Sequence, residues 1–196
     1  MSQNIVDDFT VISTENQTNG KGQLGSEWSS NVGENLTFSV FLNTSFLQAQ
    51  NQFYLNCAVS ISVFNVLKKI LVPHLSIKWP NDIMSGNQKI CGILVETTFT
   101  HVKIKNTVIG VGLNVNQEKF PSHIVNASSL KNIMQREFSL DEILPNFLIS
   151  SSITLADAVN LISLQGNIHF TKTKYTAAII IIEKGKPKLI HLINEI

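Results

Sequence analysis

Apolar residues recur along this chain with two different periods. Between Gln48 and Leu71, the positions Phe53, Cys57, Ile61, Phe64, Leu67 and Leu71 follow three- and four-residue steps. That spacing predicts one helix whose apolar face packs into the core. Lys68 and Lys69 suit its C-terminal dipole, and Pro73 prevents its continuation. Elsewhere the period is two. Phe9–Thr14 predicts a short β-branched strand, and Leu36–Leu42 alternates Leu, Phe and Val with Thr and Ser. Leu75–Trp79 reads as a strand stopped by Pro80, which has no N–H for the ladder. Turns at Pro80-Asn81-Asp82 and Ser85-Gly86-Asn87 lead to an apolar strand, Ile90–Val95, and His101–Lys105 with Thr107–Val115 predict a hairpin. Further on, Ser139–Leu148 and Ile153–Leu164 read as helices. Ile168–Tyr175, Ala177–Glu183 and Lys188–Ile193 read as short strands, with Gly185-Lys186-Pro187 turning between the last two.

Length and composition narrow the class. The 196 residues suffice for one substantial domain and a small appendage. At 43% hydrophobic and 15% charged residues the chain has the makings of a packed core and not of a disordered segment. A net charge of +1, without a basic run, implies no broad attraction for nucleic acid or membrane. Cys57 and Cys91 are too few for a disulfide framework or a Cys-based zinc site, so both are expected to be buried thiols in a reducing compartment. The first residues carry no charged-then-apolar leader, and no apolar run nears the ~20 residues of a membrane span, so a cytoplasmic location is expected.

Three stretches could carry chemistry. Asn19-Gly20-Lys21-Gly22-Gln23-Leu24-Gly25-Ser26-Glu27-Trp28 puts three glycines and one cation beside a large flat ring. Exposed peptide N–H groups and a lysine suit a carboxylate or phosphate. The following segment alternates like a strand, which separates this loop from Walker and dinucleotide-binding loops, both of which open a helix. An ordinary glycine-rich turn is the competing reading. In Gly110-Val111-Gly112-Leu113-Asn114-Val115-Asn116, Val111, Leu113 and Val115 point one way and Gly110, Gly112, Asn114 and Asn116 the other. Bare backbone followed by carboxamides makes either a floor for a planar ring or a barrel corner. In Lys78-Trp79-Pro80-Asn81-Asp82 a cation, an amide and a carboxylate surround a rigid turn: Asp82 could hold a divalent cation and Lys78 or Asn81 could position phosphates, or the segment is simply an Asx-type turn. Lys89 opens the buried strand and could neutralise two anions as they meet, or could snorkel to solvent. Strict alternation puts Lys89 and Gly92 on opposite faces, so both serve one pocket only if the strand bulges or Lys89 precedes its regular part.

Taken together, Gln17-Thr18-Asn19-Gly20-Lys21-Gly22-Gln23-Leu24-Gly25-Ser26-Glu27-Trp28, Lys78-Trp79-Pro80-Asn81-Asp82 with Lys89-Ile90-Cys91-Gly92-Ile93-Leu94-Val95-Glu96, and Gly110-Val111-Gly112-Leu113-Asn114 resemble the biotin–protein ligase family in order and spacing. The resemblance implies a two-step reaction. Biotin and Mg·ATP give biotinyl-adenylate and pyrophosphate, and the biotinyl group then passes to a lysine of a biotin carboxyl carrier domain. It implies that Lys89 and Lys21 are catalytic. Gln17, Gly20, Lys21, Gly22, Gln23, Lys89, Gly92, Leu94, Gly110 and Gly112 would bind biotin. Gln23, Trp28, Lys78, Asn81 and Asn114 would bind ATP, and Asp82 would handle Mg2+.

The implied fold is α+β, a mixed sheet with flanking helices (residues 1–149), followed by a small C-terminal β module at 150–196, SH3-like by position alone. The family loop usually begins Gly-Arg-Gly, whereas Lys21 stands here, keeping the charge and losing the bidentate fork. The family's upstream Ser-Thr-Asn motif finds no match among the sixteen residues before Gln17, so the chain is expected to be truncated there, with impaired activity. No helix-turn-helix segment precedes the loop, so a repressor role is not expected. A binding remnant without turnover and a lipoate-type ligase are the alternatives.

Overall fold

The computed structural model describes residues 6–101, 103–145, 176–183 and 186–194. Short strands come first: β1 (Val11–Thr14), β2 (Gly20–Lys21), β3 (Glu27–Trp28) and β4 (Asn35–Asn43). Helix α1 (Gln52–Lys69) follows, then β5 (Leu75–Lys78), β6 (Asp82–Ser85), β7 (Gln88–Phe99) and β8 (Ile104–Asn114). A one-turn helix, α2 (Leu130–Met134), precedes β9 (Thr176–Glu183) and β10 (Lys186–Asn194). Residues 140–145 are also helical, within the expected 139–148 helix; 146–148, the 153–164 helix and the 168–175 strand lie outside the described residues.

Eight strands form one sheet in the order β10-β9-β1-β4-β8-β7-β6-β5, while β2 and β3 pair only with each other. The sheet is mixed, because β9 runs parallel to β1 while the other pairs are antiparallel. The C-terminal hairpin expected as part of a separate module therefore extends the edge of the main sheet. The expected division at 149/150 falls among residues outside the described set.

One face of the sheet is core. Val11, Phe38, Leu36, Ile109, Val111, Leu113, Cys91 and Ile93 are all buried on it, and α1 packs against β5, β6 and β7. The helix was expected to turn Phe53, Cys57, Ile61, Phe64, Leu67 and Leu71 inward, and this needs correcting. Leu55, Ala58, Val59, Val63, Val66 and Leu67 form the core face, while Phe53, Ile61 and Leu71 are 50%, 45% and 81% exposed. Of the expected six, Leu67 is core and Phe64 packs against its margin. The helix is apolar nearly all round, so two faces satisfy the same spacing, and the sheet selects the one with small residues at Ala58 and Ser62. Ser62 is buried with its hydroxyl satisfied, donating to Ala58 O at 2.8 Å. The hairpin predicted at 101–105 also moves: β7 continues to Phe99, β8 starts at Ile104, and His101 lies in the turn between them.

Candidate active site

Residues directly opposite each other in an antiparallel ladder present side chains to the same face. The register therefore defines two rows across the face opposite the core. One row is Thr14, Thr37, Gly112, Gly92, Asp82 and Lys78, running from β1 to β5. The next is Ile12, Ser39, Gly110 and Leu94. Glycines at the centre of both rows leave a bare floor, as the alternation of 110–116 suggested.

The glycine-rich loop folds over this floor as the β2–β3 hairpin. Gly20 pairs with Trp28 and Lys21 with Glu27, and the tip is closed by Gly22 N–H donating to Ser26 O at 2.7 Å. Gly25 takes the positive φ, 80°, that the glycine content anticipated. The hairpin lays the indole of Trp28 directly on the floor. A Cβ at Gly112 would lie 2.3 Å from Trp28 Cε2, and one at Gly92 would lie 3.1 Å from Cζ3. Glycine is thus required at Gly112 by close approach of a ring, and that ring is the protein's own. The remaining cavity is about 210 Å³, below the ~300–1,000 Å³ usual for a small-molecule site.

Lys89 reaches this face through a β-bulge. Ile83 stands opposite Cys91, but Met84 stands opposite Lys89, so Ile90 is the extra residue. Ile90 and Cys91 are both fully buried, and Lys89 emerges on the side of Gly92. The condition that would let Lys89 and Gly92 share a pocket is met. Lys89 Nζ pairs with Asp82 Oδ1 at 2.7 Å and stands 5.9 Å above the Trp28 ring centroid, at the outer limit of a cation–π contact. Burial pushes the Cys91 thiol well above its ordinary range, so it stays protonated beside this pair.

The cavity brings together most of the expected residues. Gln17, Lys21, Gly22, Gln23 and Trp28 come from the hairpin side; Asn81, Lys89, Gly92, Leu94, Gly110 and Gly112 come from the sheet. Gly20 is not on the wall: it is buried within the hairpin, where a Cβ would meet the backbone O of Trp28, its partner across the ladder. Lys78 is exposed on edge strand β5 and outside the cavity lining. Asn81 spends its amide tying β6 to β7, with Nδ2 donating to Ile93 O at 3.0 Å. Asp82 touches the cavity through Lys89. Asn114 is buried outside the cavity lining, two residues beyond Gly112 on β8, with Nδ2 donating to Ser128 O at 2.9 Å. Asn116, placed by alternation on the floor, is instead committed to the backbone of Phe138 through two hydrogen bonds. Thr37 and Ser39, which also line the cavity, were not singled out, although the alternation of β4 puts both on one face.

Among the described residues, four enclosed side-chain polar atoms have no hydrogen-bond partner; Asp82 Oδ1 is ion-paired with Lys89, which leaves Gln17 Oε1, Trp28 Nε1 and Asn114 Oδ1. Enclosed polar atoms are normally paired, and two of these three, on Gln17 and Trp28, belong to residues that line the cavity. Among the described residues, no cluster of three or more His, Cys, Asp or Glu side chains could hold a metal, and no helix is long and apolar enough to cross a membrane.

Residues 1–114 match the biotin/lipoate A/B protein ligase family. The chain belongs to that family. It is 28% identical over 126 residues to the bifunctional ligase/repressor BirA of Bacillus subtilis, covering 63% of this chain and 38% of that one. It is 34% identical over 113 residues to the biotin–[acetyl-CoA-carboxylase] ligase of Mycobacterium tuberculosis, covering 56% and 41%. The chain thus spans well under half the length of these curated relatives. In three dimensions it resembles the biotin protein ligase from Aquifex aeolicus in complex with biotin and ATP, with a TM-score of 0.68 at 24% identity over 98% of this chain and 92% of that one. That likeness establishes the α+β ligase fold.

Proposed function

We propose that this chain activates biotin with ATP and transfers it to a lysine of a biotin carboxyl carrier domain. The observation that carries the proposal is the convergence of Lys89, the hairpin cation Lys21 and the glycine floor on one cleft. Relatives named as biotin–protein ligases supply the substrate class. In the first step an oxygen of the biotin carboxylate bonds to the α-phosphorus and the bond to pyrophosphate breaks. Two anions must approach each other for this, and Lys89 stands where an ammonium can neutralise both as charge builds up. Lys21, at the cleft mouth, adds a second positive charge over the junction. In the second step the carrier amine attacks the acyl carbon, AMP leaves, and a proton is lost. Until then the hairpin keeps water from the mixed anhydride.

In this reading biotin's fused rings take the place of the Trp28 indole on Gly92, Gly110 and Gly112, so Trp28 lifts and packs beside the nucleotide. Gln17 Oε1 accepts a ureido N–H, and Asn114 Oδ1 accepts an adenine amino proton; both acceptors lack a partner now. Gln23 and Asn81 line the path of the phosphates, with Lys78 at the rim. Mg2+ usually takes one or two protein carboxylates and several phosphate or water oxygens, and Asp82 fits that role once Lys89 turns to the carboxylate.

Binding without turnover is the second reading, favoured by Lys21, which lacks the fork of an arginine. Pyrophosphate release dependent on both biotin and ATP decides between them. Turnover supports the ligase; saturable biotin binding with no pyrophosphate supports the binding protein.

A further inference from the structure

Lys89 owes its orientation to a bulge, and bulges interrupt the ladder that normally fixes a strand. Pairing of β7 with β8 begins only at Cys91, opposite Leu113, so Lys89 and Ile90 project past the end of that ladder. Released there, Lys89 would lose the register that seats its ammonium against Asp82. Another segment takes over as neighbour. Lys89 N–H donates to Asn126 O at 2.7 Å, and Ser128 N–H donates to Lys89 O at 2.9 Å, a parallel bridge centred on Ala127.

This segment is itself anchored. Asn114 Nδ2 donates to Ser128 O, and Ser129 caps α2 by accepting from Asn132 N at 3.2 Å. Lys131 N–H donates to Val115 O at 2.8 Å, and Leu130 is fully buried. Asn126 sits at φ 65°, a conformation asparagine adopts readily and β-branched residues resist. We propose that Asn126–Ser128 is a positioning strap for Lys89: its backbone fixes the register of the bulge and so holds the ammonium over the cleft. Through the Asn114 carboxamide the strap is also tied to the end of β8. The functional consequence rests on the ligase reading; the geometric one does not.

Two pairs of variants test the strap in the full chain. Ser128→Pro removes the N–H that Lys89 uses and Ser128→Ala keeps it. Asn126→Val strains the left-handed φ and Asn126→Gly accepts it. The first readout is competitive acetylation of Lys89 by acetic anhydride, quantified by mass spectrometry against exposed Lys105 in the same molecule. The second is kcat and KM for biotin in pyrophosphate release. S128P and N126V are expected to raise Lys89 labelling several-fold and to lower kcat by about 10- to 100-fold, the range for a reacting group displaced by ~1 Å, with KM little changed. S128A and N126G should follow the wild type in both. Should S128P fail to fold, the Asn126 pair gives the same contrast. Equal Lys89 labelling within each pair would overturn the strap. Wild-type protein that releases no pyrophosphate would instead strike at the ligase reading, with the labelling contrast still deciding the strap.

Discussion

A Cβ added to the floor tests the packing of Trp28 directly. At Gly112 it would lie 2.3 Å from Trp28 Cε2, 2.5 Å from Cζ2 and 2.9 Å from Cδ2. Ordinary contact begins near 3.4 Å, so the indole must retreat by about 1 Å or leave the floor. Overpacking of this kind costs about 1–3 kcal/mol. Gly112 is not among the positive-φ residues, so alanine also reduces unfolded-state entropy, returning about 0.4–1 kcal/mol. The net expectation for Gly112→Ala is a loss of about 1–2 kcal/mol and an indole moved toward water. Gly92→Ala, with Trp28 Cζ3 at 3.1 Å, should show a smaller effect. Gly110→Ala, whose nearest neighbour is Leu94 at 3.7 Å, should show none. The assay is intrinsic fluorescence and urea unfolding in a Trp79→Phe background, because Trp79 is 71% exposed and would otherwise contribute a solvent-like signal. The order Gly112, Gly92, Gly110 in red shift and stability loss is the prediction. If G112A and G110A had the same emission and the same midpoint, Trp28 would not be lying on Gly112.

Other substitutions separate chemistry from scaffold. Lys89→Ala should abolish biotin-dependent pyrophosphate release while changing stability by only about 1 kcal/mol, since the ion pair with Asp82 is partly solvated; a variant turning over normally would remove Lys89 from the mechanism. Asn116→Ala breaks two hydrogen bonds to Phe138 and should cost about 1–3 kcal/mol, visible as faster hydrogen exchange at Phe138, with biotin affinity unchanged. Burial raises the Cys91 thiol above its ordinary 9.0, so iodoacetamide should modify the partly exposed Cys57 first and reach Cys91 only on unfolding. Above that ordinary value the unfolded chain ionises Cys91 and the folded one does not, so stability should fall as pH rises past it; Cys91→Ala should flatten that decline.

The site was more legible in the sequence than the packing around it. Alternation alone separated Gly110, Gly112 and Asn114 from Val111 and Leu113, because a strand's period of two leaves little freedom. Lys89 was legible only conditionally, since a bulge at Ile90 depends on its neighbours in β6 and β8 and not on the strand itself. Asn116 illustrates the limit of alternation: β8 ends at Asn114, and two residues later the chain has turned to meet Phe138. The face of α1 was misread because Phe53 and Ile61 fit the helical period as well as Leu55 and Val59 do. Only the sheet beneath breaks that tie. Nothing local in Asn126-Ala127-Ser128 announces a contact with Lys89, thirty-odd residues earlier in the chain. That pairing is a consequence of tertiary structure.

The most direct test is to incubate the protein with biotin, lipoate and Mg·ATP together, isolate it rapidly, and identify the bound species by mass spectrometry. The account predicts biotinyl-adenylate on the wild-type protein and none on K89A. Lipoyl-adenylate in its place, or intact biotin and ATP with no adenylate, would contradict it.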